Sequence, residues 1–140
     1  ISELNIIQLK RILLEFSKKS STYINELKES CNIINRVKQY INKYYYKNLK
    51  LKSIAERFYI NPAYLGRLFK RETGKCFSHY LNEKRLQTAK NLLERTDLHV
   101  YQVARRVGYQ NTDYFIIKFK KREQCTPMEY RRKSNDTEYN

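Results

Sequence analysis

The side chains that could ligate a metal or act as nucleophiles are few: Cys31, Cys76 and Cys125, with His79 and His99. The two histidines lie far apart, the cysteines are scattered, and no C-x-x-C pair, H-E-x-x-H, glycine-rich phosphate loop or nucleophile elbow occurs. Each histidine therefore reads as a surface or hydrogen-bonded residue, and the cysteines as thiols of a reducing cytosol. The expectation is a protein with no metal, no cofactor and no enzymatic activity. The abundant chemistry is cationic. Lys and Arg number 29 against 14 Asp and Glu, a formal charge of +15 on 140 residues, spread over both halves. That excess suits nucleic acid, an anionic membrane surface or a well-solvated exterior.

Placing charge requires a scaffold, and the composition specifies one made of helices. Hydrophobic residues are 41% of the chain, with Tyr 13 and Phe 6, enough to bury a core in one domain. Gly 3 and Pro 2 are too few for the many turns of sandwiches or barrels, and favour long helices with short connections. No run reaches the roughly 18 apolar residues of a membrane span. Apolar positions recur in several short helices that need one another, unlike a lone membrane-surface helix. No membrane partner is expected, and nucleic acid leads. Because the chain opens with Ile1, it is expected to be a piece of a longer polypeptide.

Two stretches of the second half repeat. Ile54-Ala55-Glu56-Arg57-Phe58 pairs with Val103-Ala104-Arg105-Arg106-Val107 at an offset of 49. Tyr64-Leu65 pairs with Tyr114-Phe115, and Phe69-Lys70-Arg71 with Phe119-Lys120-Lys121, at 50, so one residue is inserted in the intervening turn. Each copy has the outline of a helix-turn-helix, with a small Ala55 or Ala104 where two helices approach closely. Asn61 caps the second helix of the first copy, with Pro62 at its first position. In the second copy Gly108 relaxes the turn, Asn111 is the cap, and Asp113 meets the positive end of the helix dipole. Ordinary helical hairpins in a bundle would give the same pattern.

Between the copies, Ser78 to Arg95 reads as one helix with Leu81, Leu86, Ala89, Leu92 and Leu93 on a stripe. At 1.5 Å per residue it spans roughly 27 Å, comparable to the roughly 34 Å between successive major-groove faces of B-DNA. A rigid connector of that length suits two reading helices in adjacent grooves.

The residues Ile54-Ala55, Asn61-Pro62-Ala63-Tyr64-Leu65, Phe69-Lys70-Arg71-Glu72-Thr73-Gly74, Val107-Gly108-Tyr109, Tyr114-Phe115, Phe119-Lys120-Lys121 and Thr126-Pro127-Met128-Glu129-Tyr130-Arg131 fall in an order that resembles the AraC/XylS family of bacterial transcription regulators. The wording and the long helical lead-in look most like members that end two-component response regulators. The resemblance implies an all-α fold: two helix-turn-helix motifs joined by a long connector helix, preceded by one or two amphipathic helices. It divides the chain into a lead-in or linker over 1–46, a double helix-turn-helix DNA-binding domain over 47–133 and a polar tail over 134–140. It further implies sequence-specific binding of double-stranded promoter DNA in the cytoplasm, contact with RNA polymerase, and an upstream sensor or receiver domain in a longer chain.

Carried over residue by residue, the reading helices are 62–72 and 112–122. In the first, Leu65, Leu68 and Phe69 form the buried face, and Ala63, Gly66, Arg67 and Lys70 the opposite one. Arg67 matches the family position that reaches a base edge, and a guanidinium suits the O6 and N7 acceptors of guanine. Ala63 and Gly66 offer only thymine-methyl contact or a closer approach. The second helix departs from the family pattern, with Ile116-Ile117-Lys118 where a Ser-Arg-apolar triplet is usual. Ile117 and Ile116 then face the groove, Thr112 and Asp113 supply the remaining polar contacts, and Lys118 must snorkel out of a usually buried place. This half is expected to add affinity through phosphates more than specificity. Phosphate contacts are assigned to Lys70, Arg71, Lys120, Lys121, Arg122 and Thr126. Gln124 replaces a usual C-cap glycine, and Arg85 is expected to pair with a carboxylate such as Glu56.

In residues 1–46, Ile6, Leu9, Leu13 and Phe16 recur at 3, 4, 3 spacing, as do Ile34, Val37, Ile41 and Tyr44. Two helices separated by Ser17-Lys18-Lys19-Ser20-Ser21 follow. Three roles fit the stripe: a signalling helix, a homodimerising helix or a cover for the domain's own core. Tyr44-Tyr45-Tyr46 reads as a packing edge, and with no Asp in the first third no phosphoacceptor pocket can be built there. Two rivals to DNA binding stand: a helical interaction or scaffold module with a basic solvated surface, and an RNA-binding protein. The latter needs aromatics on an open surface, whereas most here sit at core-spaced positions.

Overall fold

The computed structural model describes residues 2–138, with side chains described over residues 5–137. Among these there are seven helices and no strand, in two compact units that divide after residue 37.

The first unit is part of α1 (Ser2–Tyr44), a single 43-residue helix. The break expected at Ser17-Lys18-Lys19-Ser20-Ser21 does not occur, and one helix replaces the expected two. Ser and Lys cost only a few tenths of a kcal/mol each inside a helix, roughly 0.5 at most, and the first Pro and Gly of the chain come only at Pro62 and Gly66. Thr22 Oγ1 donates back to the Lys18 carbonyl at 3.0 Å, so its hydroxyl is paired without leaving the helix.

In the second unit the end of α1 leads to α2 (Leu51–Arg57), α3 (Pro62–Thr73), α4 (Phe77–Arg95), α5 (Val100–Arg106), α6 (Thr112–Glu123) and α7 (Pro127–Glu138). Helix α4 is the spine. α3 packs against it, as do α5 and α7, while α2 packs on α3 and α6 on α5 and α7. Its 19 residues give about 28 Å of rigid rod. The expected stripe is its buried face: Leu81, Leu86, Ala89 and Leu93 are buried, and Leu92 packs at the edge. In the first motif Phe69 meets Phe77 and Tyr80 edge-on, at 6.3 and 5.3 Å between ring centres. In the second, Phe115 and Phe119 lie 5.7 Å apart over Val103, Ala104 and Val107. Ala55 and Ala104 are fully buried, as the close approach of each helix pair requires.

The duplication extends to the backbone. Helices α2 and α5 both end with crossed hydrogen bonds: Tyr59 N–H to Glu56 O with Ile60 N–H to Ala55 O, and Gly108 N–H to Arg105 O with Tyr109 N–H to Ala104 O. Such an ending places its pivot residue in the left-handed region, and the pivots are Gly108 (φ 104°) and Tyr59 (φ 56°). The reading helices end likewise on Gly74 (φ 74°) and Gln124 (φ 60°), whose N–H groups return to Lys70 O and Lys120 O. Gln124 thus performs the cap that a glycine performs in the first copy, its Nε2 also donating to Lys121 O.

Two arginines tie the elements together. Arg85 does not pair with Glu56: its Nε donates to Tyr45 O at 2.8 Å and its Nη2 to Lys47 O at 2.9 Å, and its guanidinium lies over the Tyr109 ring. It passes over Gly108, where a Cβ would stand 2.9 Å from Nε, so a side chain there would displace the guanidinium in addition to straining the positive φ. Arg131 donates to Leu93 O and Leu98 O, fastening α7 to the end of α4. The tyrosine run is a packing edge, with Tyr45 against the second-motif core and the Tyr40 ring tilted against that of Tyr44, 4.7 Å between centres.

Candidate nucleic-acid interface

Helix α3 begins at Asn61, whose side chain accepts the Tyr64 N–H at 3.1 Å, with Pro62 at the first position. Its apolar residues Leu65, Leu68 and Phe69 are buried on α4 and α2, so the opposite face is fixed outward. That face carries Ala63, Arg67, Lys70 and Arg71, all exposed. Their spacing of i, i+4, i+7 and i+8 makes one continuous strip along the helix.

Gly66 is not on that strip. A Cβ there would stand 3.2 Å from Leu51 Cδ2, so Gly66 faces α2 and serves the close packing of the two helices. With Leu65 and Phe69 inside, position 66 lies half-buried at the edge of the exposed face, nearer the core than 63.

Helix α6 repeats the construction. Asn111 accepts the Tyr114 N–H at 2.9 Å, and Phe115 and Phe119 are buried. Asp113, Ile117, Lys120 and Lys121 are exposed, Ile117 to 64%, and each lies 50 residues after its counterpart in α3. Ile116, the counterpart of Gly66, is half-buried and packs at the edge of the second-motif core. Thr112 is half-buried at the first turn. Lys118 does lift out: its Nζ sits over the exposed Tyr114 ring, 5.2 Å from its centre. Each motif therefore exposes a matched quartet, Ala63–Arg67–Lys70–Arg71 and Asp113–Ile117–Lys120–Lys121. The first holds a planar five-donor fork at its centre and the second a branched hydrocarbon.

The cations assigned to phosphates divide by what they already hold. Lys70, Lys120 and Lys121 are exposed at the C-terminal ends of the two helices. Arg71 is exposed but shares its Nε and Nη2 with Glu72 Oε1 at 3.0 Å. Arg122 is turned back on the domain, its Nη1 donating to Glu83 O at 2.9 Å and its Nε lying 3.4 Å from Glu123. Thr126 is a cap: its Oγ1 accepts the Glu129 N–H at 3.3 Å, and its own N–H donates to Glu129 Oε2 at 2.8 Å. That hydrogen bond holds the Glu129 carboxyl below its usual range and puts a carboxylate at the start of α7, where a phosphate was expected.

Helices α4 and α6 enclose a cleft of about 290 Å³ lined by His79, Asn82, Glu83 and Leu86 on one side and Lys118, Lys121 and Arg122 on the other. Glu83 sits 2.6 Å from Lys75 Nζ and 3.4 Å from His79 Nε2, and the lysine holds its carboxyl below the usual range. Tyr109, whose hydroxyl donates to Asn82 at 3.2 Å, is pushed up to about 12 by burial. Among the described residues no cluster of His, Cys, Asp and Glu could hold a metal ion, and no helix is long and apolar enough to cross a membrane.

Tyr64 and Tyr114 are the surface residues that sequence reasoning passed over. Both are about half exposed in the first turn of their reading helix, beside Ala63 and Asp113. Their repetition at an offset of 50 was the available signal, but aromatic residues at repeated positions read as core.

A family model described as a helix-turn-helix domain matches residues 54–133. YijO of Escherichia coli, an uncharacterised HTH-type transcriptional regulator, is 41% identical over 96 residues, covering 69% of this chain and 34% of its own length. The chain thus spans about a third of that relative. The C-terminal domain of AraT, a response regulator from Geobacillus stearothermophilus, is similar at a TM-score of 0.70 and 40% identity, covering 72% of this chain and 84% of the domain. The DNA-binding domain of AdpA, solved in complex with a target DNA, shares the fold at a TM-score of 0.71 and 23% identity, covering 74% of this chain and 94% of its own. With the match running through both motifs and their connector, the chain belongs to the AraC-type helix-turn-helix family.

Proposed function

We propose that residues 47–133 are the sequence-reading part of a bacterial transcription regulator and bind double-stranded promoter DNA through α3 and α6 in successive major grooves. The observation that carries this is the pair of matched quartets, each on the second helix of a duplicated motif and each pinned outward by buried residues of the same helix. A solvated scaffold surface has no reason to repeat the same four exposed positions. YijO is named a transcriptional regulator, AraT a response regulator, and the AdpA domain is held on its target DNA, which supports the same reading.

Arg67 reads a guanine edge and Ala63 a neighbouring thymine methyl; Ile117 offers apolar contact and Asp113 a polar one. Lys70, Arg71, Lys120 and Lys121 hold phosphates and set the register. The role is binding, not catalysis. In the cell the domain works in the cytoplasm as part of a longer chain, following a sensor or receiver segment and acting on RNA polymerase at the promoter.

The test is selection from random duplexes with sequencing, at two salt concentrations. The reading expects two unequal half-sites about one helical turn apart, the stronger one losing its preference at one base pair in Arg67→Ala. Binding without any recovered motif, collapsing as salt rises, would leave only a basic helical surface.

A further inference from the structure

The cleft between α4 and α6 is not needed by the DNA reading, although Lys121 belongs to both. Its α6 wall is the place where the two copies of the motif part in charge. Lys118, Lys121 and Arg122 stand three and four positions apart and so line one ridge of that helix. Fifty residues earlier the same ridge reads Leu68, Arg71 and Glu72, with Leu68 buried and Arg71 paired to Glu72. A ridge of zero formal charge in the first copy carries +3 in the second. Leu68 packs where α3 meets α4, whereas a lysine at the equivalent place cannot bury its ammonium and lifts out. The replacement puts charge on a wall where the first copy has packed hydrocarbon.

Little in the fold compensates these cations. Among the described residues neither Lys118 nor Lys121 forms an ion pair. Arg122 is held by Glu83 O and Glu123, a carboxylate already shared with Lys90 at 3.0 Å, and its Nη2 donates to no described residue. The carboxylate of the opposite wall, Glu83, is taken by Lys75 and His79. Asn82 gives its Oδ1 to the Tyr109 hydroxyl, which leaves its amide N–H groups as donors. Leu86, buried, is the apolar member of the lining.

Like charges three and four positions apart on a helix repel, and an anion between them removes the repulsion. Donors and positive charge of this kind fit an oxyanion with two charges and several acceptor oxygens. The volume of about 290 Å³ stands at the lower end of the roughly 300–1,000 Å³ of small-molecule sites, more than a bare tetrahedral ion fills. We infer that the α4–α6 cleft binds a small phosphate monoester, its phosphoryl oxygens on Lys118, Lys121 and Arg122 and its organic part against Leu86. Lys121 also holds a DNA phosphate in the proposed function. On that reading ligand and duplex compete for one side chain, and occupancy of the cleft weakens DNA binding.

The experiment is titration of the 140-residue chain with phenyl phosphate in the absence of DNA, followed by calorimetry and amide NMR, so its outcome is independent of the proposed function. Saturable one-to-one binding is expected, with shifts centred on residues 79–86 and 118–122. Lys118→Leu, which restores the residue of the first copy and so keeps the fold, is expected to weaken binding roughly tenfold or more, as is Lys121→Gln. Lys52→Gln, exposed on α2, is expected to leave it unchanged. Shifts that never saturate, or that persist in Lys118→Leu, would overturn the inference. So would equal binding of inorganic phosphate, or a cleft that responds to duplex DNA and not to phenyl phosphate. In a second measurement phenyl phosphate is expected to raise the apparent Kd for a duplex in the wild-type chain and not in Lys118→Leu. With direct binding intact and no such competition, the cleft site stands and the DNA role of Lys121 falls.

Discussion

Arg67 and Ile117 occupy equivalent places on two equivalent helices, and the difference between them sets what each half can recognise. A guanidinium pairs bidentately with guanine, whereas a hydrocarbon touches only a methyl group. Arg67→Ala is expected to cost about 1–3 kcal/mol and to relax preference at one base pair, read by titrating matched and mismatched duplexes. Lys121→Ala should weaken all duplexes alike; equal losses from both variants on specific and random DNA would refute the division of roles. Backbone strain offers a second prediction at this scale. Tyr59 holds φ 56° with its ring 97% exposed, at the position where the second copy has Gly108. A left-handed non-glycine residue costs roughly 1–2 kcal/mol. Tyr59→Gly is expected to raise stability by about 0.5–1 kcal/mol, less than the full strain because glycine loses more entropy on folding, as measured by urea unfolding. No gain would mean the exposed ring contributes contacts of its own.

At the scale of elements, the joint between α4 and the turn before α6 depends on Arg85 seated over Gly108. Gly108→Ala adds a Cβ into the guanidinium at a positive φ, and is expected to destabilise by about 2–4 kcal/mol, more than Gly74→Ala, which meets open space. Unfolding of the two variants side by side checks this. The other joint is electrostatic. Lys75 lowers the pKa of Glu83 from its ordinary 4.5. A carboxyl lowered on folding contributes stability that is present above its unfolded value and lost as pH falls through the folded one. Glu83→Gln is therefore expected to flatten the acid limb of the stability–pH profile below about 4.5 by slightly lowering the plateau at neutral pH, with stability at the acid end nearly unchanged. An unaltered limb would show that the pair is screened out by water.

For the whole molecule, the net charge of +15 governs affinity while the quartets govern choice. Binding is expected to fall steeply and linearly on a log–log plot against salt, each phosphate contact contributing a slope of about −0.9. Removing Lys70, Lys120 and Lys121 together should reduce that slope by about 3, whereas Arg67→Ala should change the constant more than the slope. A slope unmoved by the triple variant would take the phosphate contacts elsewhere.

Helix identity, the caps at Asn61, Asn111 and Thr126, the buried faces of α3 and α4, and the duplication itself were all legible in the sequence. Each depends on local periodicity or on one residue bonding to a neighbour three or four positions away. The outward quartets followed from the same periodicity, except at 66 and 116, where the boundary between in and out is set by a second helix. Local propensity also left α1 ambiguous: Ser17 to Ser21 tolerate helix without demanding it. Which carbonyls Arg85 and Arg131 would bind, that Arg122 would fold back on Glu83, and that Tyr59 and Gln124 would accept left-handed backbone were decided only by tertiary structure. These choices join residues tens of positions apart or strain a single residue, and only the packed core supplies the free energy that fixes them.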